Sequence, residues 1–251
     1  MCRLYGMRAS HATEIGCELI EAQNSLIRQS QRDARGLSNP HGWGIGRWTG
    51  RDVDCKREAE PASEDEDFRM GAVNLEGKTI LAHIRRATVG SPRIENTHPF
   101  LHEHAMLAHN GHIPDFDQVR PRMLDAMTEQ HREAILGATD SEHFFHLLLS
   151  IREREDLTMH DGLARAVKQV FRLAKDLAPD DEVALNFLWT EEEKLVGCRL
   201  NRELWYTERA GRHRCEVCDE YHTSASASDD YKSTVLASEK LTDSESWREV
   251  P

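Results

Sequence analysis

A cysteine at the second position is the first residue of the chain that is equipped for chemistry. If the initiator Met1 is removed, Cys2 carries a thiol and a free α-amine on one residue. An α-amine has a pKa of ~7.7–8.0, so it can act as a base close to neutral pH. Because a thiol next to such a base is an activated nucleophile, the sequence predicts acyl-transfer chemistry at this position.

Four short motifs follow Cys2 in order along the chain. They read HIRRATVG at 83–90, NTHP at 96–99, HNG at 109–111 and TDSE at 139–142. Together with the early cysteine, they resemble the glutaminase domain of the class II (N-terminal nucleophile) glutamine amidotransferases over roughly residues 2–200. Within that family the chain is similar to the small stand-alone type, which includes the γ-glutamyl hydrolase branch of the ergothioneine pathway.

The resemblance implies a role for each of five residues. Cys2 attacks the side-chain amide, and the Asn110 side chain with the Gly111 N–H forms the oxyanion hole. Arg85 pairs with the α-carboxylate of the substrate, as a guanidinium can do with two parallel hydrogen bonds. Asp140 supplies the opposite charge for the α-ammonium group. This chemistry requires no cofactor.

Each of these residue types also has an ordinary structural role. An arginine such as Arg85 commonly forms a salt bridge, and Asn-Gly is a common hairpin turn. Asp140 precedes an apolar helical run, so either it or Thr139 is a candidate N-cap. A structural role is the prediction for the three motif histidines His83, His98 and His109.

The predicted function is a stand-alone glutaminase or γ-glutamyl amidohydrolase that works through a Cys2 thioester. Its substrate would be glutamine or a small γ-glutamyl amide, with an ammonia-accepting enzyme as a further partner. Only about fifty residues follow the glutaminase-like region, so we expect no ammonia-consuming domain in the same chain. Two alternatives are an N-terminal nucleophile hydrolase for another linear amide, and a partner-dependent subunit with little activity alone. A retained Met1 would favour the second alternative, and the oligomeric state is left open.

A second cluster of reactive residues lies in a predicted late loop, 208–230. His213, Cys215, Cys218 and His222 follow a His-x-Cys-x-x-Cys-x-x-x-His pattern. Two thiolates and two imidazoles are a ligand set for tetrahedral zinc, so a structural zinc ion is one interpretation. Reduced thiols without a special role, or a redox-active pair, are the alternatives.

Charge and cysteine content limit the class of protein. The 251 residues carry a formal net charge of −12, which argues against binding to the phosphate backbone of nucleic acids. No apolar run approaches the ~18–20 residues of a membrane span, and residues 1–6 lack a secretory pattern. Six scattered cysteines indicate a reducing, cytoplasmic setting without a disulfide framework.

The elements that must position these residues form an α+β pattern, with helices grouped between runs of strands. By resemblance we expect one domain over residues 1–251 with the N-terminal nucleophile fold, a four-layer αββα sandwich of mostly antiparallel sheets. Strands are predicted at 2–6, 42–49, 79–84, 105–109, 183–189, 194–200, 203–207 and 233–238. Helices are predicted over 15–27 (capped by Thr13), 118–136, 140–151 and from 161 to 177. The charged segment 51–69 is expected to be a hairpin or loop, and the Ser/Ala-rich segment 223–228 a loop.

Overall fold

The computed structural model describes residues 2–50, 52–211, 214–215, 217–223 and 230–251. Their strands and helices are, in chain order, β1 (Arg3–Glu14), α1 (Leu26–Gln31), β2 (Trp43–Thr49), β3 (Asp52–Glu58), α2 (Glu66–Val73), β4 (Glu76–Ile84), β5 (Phe100–His102), β6 (Ala105–His112), α3 (Phe116–Ala126), α4 (Glu129–Glu133), α5 (Asp140–Glu155), α6 (Met159–Leu177), β7 (Ala184–Glu191), β8 (Lys194–Cys198), β9 (Trp205–Ala210), β10 (Lys232–Ala237) and β11 (Arg248–Glu249).

The strands form two sheets. The larger sheet has the order β11-β9-β10-β1-β4-β2-β3, and the smaller sheet has the order β5-β6-β7-β8. All paired strands are antiparallel. Strand β1 therefore lies in the middle of the larger sheet, with β10 on one side and β4 on the other.

Three apolar clusters separate four layers. Leu4, Leu81, Met106 and Leu188 belong to the cluster between the two sheets. A second cluster joins the outer face of the smaller sheet to α3, α5 and α6. A third joins the outer face of the larger sheet to α1, α2 and the segment between β1 and α1. This αββα arrangement is the predicted N-terminal nucleophile sandwich, so the predicted fold class is confirmed.

The predicted helix over 15–27 is wrong. Strand β1 continues to Glu14, a π-helical turn spans Cys17–Glu21, and helix α1 begins only at Leu26. The Thr13 hydroxyl donates to the His11 carbonyl oxygen instead of capping a helix. Gly16 lies at this change of direction, where a Cβ would lie 2.6 Å from the Val73 carbonyl oxygen.

Other boundaries shift for local reasons. The predicted helix 118–136 is divided into α3 and α4, because Met127 and Thr128 adopt extended backbone angles. The charged segment 51–69 contains strand β3, as expected for a hairpin, and also the start of helix α2, which the sequence prediction missed. The expected loop 208–230 begins later, since β9 continues to Ala210. Beyond Thr223, the predicted loop 223–228 lies outside the described residues.

Candidate active site

Cys2 immediately precedes β1, the central strand of the larger sheet. Its side chain is half-buried against the residues that follow β4. The Arg86 backbone amide donates to the Cys2 Sγ at 3.3 Å, and the Sγ lies 3.4 Å from the Arg86 carbonyl oxygen. Because Leu4 faces the smaller sheet and side chains alternate along a strand, Cys2 lies on the same face.

Two opposing effects act on the Cys2 thiol. Burial raises its pKa above the ordinary value, while the Arg86 amide and the charges of Arg85 and Arg3 act to lower it. The net pKa is raised, so the thiol is mostly protonated at neutral pH and needs a base before it can attack. A neighbouring α-amine is a base of suitable strength for this step.

A buried arginine holds the backbone of Cys2. The Arg3 guanidinium donates to the Cys2 carbonyl oxygen at 2.8 Å. It also forms ion pairs with Asp33 at 2.5 Å and with Glu239 at 2.7 Å, and all three side chains are almost fully buried. Burial alone would raise the pKa of Asp33, but the Leu37 amide and the Arg3 charge hold it below the ordinary value. Arg3 was not singled out from the sequence, because a lone arginine carries no motif.

Arg85 lies just beyond β4 and is buried. Its guanidinium donates to the carbonyl oxygens of Val89, Gly90 and Ser91 at 3.0–3.1 Å. Among the described residues these hydrogen bonds engage three of its five N–H groups, which leaves two for a ligand. Arg85 therefore also shapes the loop 89–91, a role that the sequence prediction did not include. Burial lowers the pKa of Arg85, and the nearby charges of Cys2 and Asp140 partly oppose that effect.

Asn110 and Gly111 lie inside β6 rather than in a turn. Asn110 follows Met106 and Ala108 on the face that packs against the larger sheet, which is the face toward Cys2. Its buried Oδ1 has no hydrogen-bond partner among the described residues. Because an amide side chain can turn over, either its oxygen or its NH₂ group can meet a ligand.

The glycine at 111 is required by packing as well as by any oxyanion hole. A Cβ at this position would lie 1.9 Å from the Ala184 carbonyl oxygen and 2.3 Å from the His109 ring. Strand β7 therefore approaches β6 as closely as it does only because residue 111 has no side chain.

Asp140 is the first residue of α5 and is buried. One carboxylate oxygen accepts from the Ile113 amide at 3.1 Å and the other from the Ser141 amide at 2.8 Å. The N-cap of α5 is Thr139, whose hydroxyl accepts from the Glu142 amide at 3.2 Å. Of the two candidate caps, Thr139 fills that role, and the negative charge of Asp140 stays available to the site.

The motif histidines make contacts within the protein. His83 Nε2 lies 3.2 Å from the His109 carbonyl oxygen, and its ring packs on that of His98 with centroids 4.1 Å apart. His109 Nδ1 lies 2.8 Å from the Ser141 hydroxyl. Burial lowers the pKa of His83 to about 3 and lowers those of His98 and His109 as well. All three are therefore neutral at pH 7, in keeping with the structural role predicted for them.

Three more side chains line or hold the site. His41 Nδ1 accepts from the Ala87 amide at 2.9 Å. Asn96 bridges the Ser91 carbonyl oxygen and the Ala138 amide, and the Glu142 carboxylate accepts from the amides of Leu136 and Gly137. Asn96 belongs to the NTHP motif and Glu142 to the TDSE motif, so the sequence marked both positions. It did not predict that their side chains hold loops by hydrogen bonds.

The residues of the late cysteine cluster differ in one member from those that the sequence predicted. His213 lies outside the described residues. Cys215, Cys218 and His222 lie close together, but the residue that joins them is Cys17, from the π-helical turn after β1. Burial, followed by the neighbouring thiols of Cys218 and Cys215, raises the pKa of Cys17. No signal within the motif marks Cys17, which is almost two hundred positions away in the chain.

Comparison with known proteins identifies the family of this chain. The family model for class-II glutamine amidotransferases matches residues 1–251. A protein of Escherichia coli named glutamine amidotransferase YafJ is 26% identical over 261 residues, covering 100% of this chain and 94% of that protein. The γ-glutamyl-hercynylcysteine sulfoxide hydrolase of Mycobacterium tuberculosis is 36% identical over 115 residues, covering 44% of this chain and 49% of that protein.

A solved structure extends the comparison to the fold. A protein of Pseudomonas aeruginosa named as a glutamine amidotransferase superimposes with a TM-score of 0.60 and 25% identity, covering 99% of this chain and 93% of that one. Within the described residues, no helix is both long and apolar enough to cross a membrane. Because the family model matches residues 1–251, the full length of this sequence, the chain belongs to the class II glutamine amidotransferases. It is therefore an amide-hydrolysing enzyme.

Proposed function

We propose that this enzyme hydrolyses the side-chain amide of glutamine, or of a small γ-glutamyl amide, through a thioester on Cys2. The observation that carries the proposal is the grouping of a nucleophile and two opposite charges. Arg85 is buried and is influenced by the charges of both Cys2 and Asp140. A buried cation that interacts with both a thiol and an anion suits a substrate with a free α-carboxylate and α-ammonium group.

The reaction begins with removal of Met1, which exposes the α-amine of Cys2. The amine takes the thiol proton, the sulfur attacks the amide carbon, and an oxyanion forms. The Asn110 side chain and the Gly111 N–H stabilise that oxyanion, a contribution of about 10²–10³ in rate for one such donor. The protonated amine then gives its proton to the leaving nitrogen as the C–N bond breaks. Water hydrolyses the thioester, which releases glutamate and restores the thiol.

The two charged side chains act on the other end of the substrate. The free N–H groups of Arg85 hold the α-carboxylate, and the Asp140 carboxylate holds the α-ammonium. Both side chains are fixed by backbone hydrogen bonds, Arg85 to residues 89–91 and Asp140 to the Ile113 amide. Because these partners do not have to move when substrate binds, the charges are positioned in advance.

The first test is glutamate release from L-glutamine by protein whose intact mass shows loss of Met1. Wild type should turn over, and Cys2→Ala should lose at least about 10³-fold in rate. Cys198→Ala is the matched control, because Cys198 is a half-buried free cysteine in β8. Full activity in protein that retains Met1 would exclude the α-amine as the base.

The second test separates glutamine from other γ-glutamyl amides. If mature wild type leaves glutamine intact but cleaves a γ-glutamyl anilide in a Cys2-dependent manner, the substrate is a larger γ-glutamyl conjugate. The relationship to the γ-glutamyl-hercynylcysteine sulfoxide hydrolase favours this second candidate. Turnover of glutamine only after addition of an ammonia-consuming enzyme would indicate a partner-dependent subunit.

The third test addresses the charged pair through the substrate itself. Glutaramate is glutamine without its α-amine, so wild type should prefer glutamine over it. Asp140→Asn should lose most of that preference, which we expect to be about 10-fold or more, as for a hydrogen bond to a charged group. Unchanged discrimination in the variant would show that Asp140 does not contact the ammonium.

Arg85 gives a companion prediction. Arg85→Lys keeps the charge but loses the forked donor geometry. We expect the KM for glutamine to rise about 10-fold or more, with a smaller fall in kcat. Arg47→Lys, at an exposed ion pair with Asp54 in the β2–β3 hairpin, is the control and should leave both constants close to wild type. An unchanged KM in Arg85→Lys would contradict the assignment.

A further inference from the structure

The cluster of Cys17, Cys215, Cys218 and His222 lies far from the proposed catalytic thiol. Cys2 precedes the first residue of β1, whereas Cys17 lies three residues after the last residue of the same strand. The amide-hydrolysing reaction needs no group at that end of the sheet. The cluster is therefore a second concentration of reactive side chains that the proposed function does not use.

The geometry of this cluster is that of a four-ligand site. One ligand atom from each residue lies within 4.8 Å of all the others. The Cys218 Sγ and the His222 Nε2 are 3.3 Å apart. In a tetrahedron with Zn–S of ~2.3 Å and Zn–N of ~2.0–2.1 Å, neighbouring ligand atoms are about 3.6–3.8 Å apart. Adjustments of about an ångström would bring all four atoms to these separations.

The backbone around the cysteines forms a compact turn. The Cys215 amide donates to the Glu220 carbonyl oxygen at 2.8 Å, and the Asp219 amide donates to the Cys215 carbonyl oxygen at 2.9 Å. The Val217 amide lies 3.4 Å from the Cys215 Sγ, in position to donate to a thiolate. A hydrogen bond of this kind supports a charged sulfur, which is the form that binds a metal.

The rest of the fold brings the fourth ligand to this turn. The Glu14 amide donates to the His222 carbonyl oxygen at 2.9 Å, and Thr13 pairs with Thr223 in a β-bridge. These contacts hold the end of β1 beside the loop, so that Cys17 on the following turn faces the cysteines. Cys17 is buried, whereas Cys218 is exposed, so the cluster lies at the edge of the core.

We infer that Cys17, Cys215, Cys218 and His222 bind a structural zinc ion. Thiolates select soft or borderline metals, and three sulfurs with one imidazole are a common ligand set for a closed tetrahedral zinc site. The ion would fasten the late loop to the segment that follows the central strand. Cys17 is the ligand from outside the compact motif, and with it the four-ligand zinc site does not require His213.

Metal content tests the inference directly. Untagged wild-type protein, purified under reducing conditions with added zinc and then desalted, should contain one zinc per chain by elemental mass spectrometry. Cys17→Ser should lose most of that zinc. Cys55→Ser and Cys198→Ser, which alter half-buried cysteines in β3 and β8, should keep it. His213→Ala should also keep it.

Cobalt substitution reports the ligands without depending on a stable cysteine variant. Wild-type protein loaded with Co²⁺ should show tetrahedral d–d bands and strong thiolate-to-cobalt charge transfer. We expect an intensity for three thiolates, and about two-thirds of it in any Cys17→Ser protein that still binds cobalt. Treatment of zinc-loaded wild type with a mercurial reagent should release one zinc per chain to a chromogenic chelator.

Three results would overturn the inference. The first is wild-type protein that contains no zinc after reduction and reconstitution. The second is zinc that persists in Cys17→Ser but is lost in His213→Ala, which would establish the four ligands of the compact motif instead. The third is a disulfide between two cluster cysteines that persists when the protein is treated with a reducing agent and supplied with zinc.

Discussion

Arg3 joins the proposed nucleophile, Cys2, to a buried ion-pair network. Its guanidinium holds the Cys2 carbonyl oxygen while it neutralises two buried carboxylates, those of Asp33 and Glu239. Replacing one partner of a buried ion pair leaves an uncompensated charge in a medium that solvates it poorly. The backbone of Cys2, the proposed nucleophile, is thus held by a group of three buried charges.

We expect Arg3→Met to lower the free energy of unfolding by about 3–5 kcal/mol, because two buried carboxylates would lose their partner. Urea unfolding at pH 7 measures the change. Arg8→Met is the matched control on the same strand, since Arg8 is partly exposed and pairs with the exposed Glu193. That exposed pair should contribute no more than about 1 kcal/mol. Equal losses in the two variants would refute a special role for Arg3.

At the scale of elements, strand pairing depends on which positions lack a side chain. Gly111 lets β7 approach β6, whereas Gly71 in α2 has open space around its Cα. The same chemical change therefore has opposite consequences at these two sites. Adding a methyl group at Gly111 strains the sheet. Adding one at Gly71 reduces the conformational freedom of the unfolded chain.

Gly111→Ala should destabilise the protein by about 1–3 kcal/mol, as overpacking of a close contact does. Gly71→Ala should stabilise it by roughly 0.4–1 kcal/mol, because alanine is the better helix former. Urea unfolding of both variants beside wild type is the measurement. A Gly111→Ala protein of wild-type stability would mean that β6 and β7 are not packed as tightly as described.

The elements also show what the sequence can and cannot predict. Helix α5 was expected over 140–151 and spans Asp140–Glu155, because a cap and a continuous apolar run both mark it. The segment after β1 was misread because Ile15, Leu19 and Ile27 have helical spacing although each packs on the core from a different local structure. Periodicity detects burial on one side, but it does not show that Gly16 packs closely on the Val73 carbonyl oxygen, which is remote in sequence.

For the candidate site, motifs predicted the residues that would form it but not how those residues are held. Cys2, Arg85, Asn110, Gly111 and Asp140 were all marked by type and order, and the fold places them on or beside the strands and helix that meet there. The support from Arg3 and the fourth member of the cysteine cluster carried no local signal. Such contacts exist only once distant segments have packed together, so one sequence without its fold does not display them.

At the scale of the whole molecule, buried histidines make stability depend on pH. Burial lowers the pKa of His83 to about 3, and burial with the neighbouring His102 and His131 lowers that of His146 to about 3. In the unfolded chain each has a pKa of ~6.5. Below that pH the unfolded state binds protons that the folded state does not, so stability falls as the pH is lowered from about 6.5 toward 3.

Between pH 6.5 and pH 5 these two histidines together should remove roughly 3–4 kcal/mol of unfolding free energy. Urea unfolding at several pH values measures the slope. His146→Gln removes one of the two groups and should roughly halve the contribution of the pair to that slope. His160→Gln changes an exposed histidine and should leave the slope unchanged. A wild-type stability that does not vary over this range would contradict the burial of these rings.

The position of β1 between β4 and β10 has a consequence for the order in which the enzyme becomes active during synthesis. The Leu4 amide donates to the Ser238 hydroxyl, a contact across 234 positions of the chain. At ~5–20 residues per second, the ribosome makes Cys2, the proposed nucleophile, about 10–50 s before β10, the second strand that pairs with β1. The central strand therefore waits for its last neighbour, and a nascent chain carries the reactive cysteine without the site that directs it. We therefore expect amide hydrolysis only from chains whose translation has passed β10.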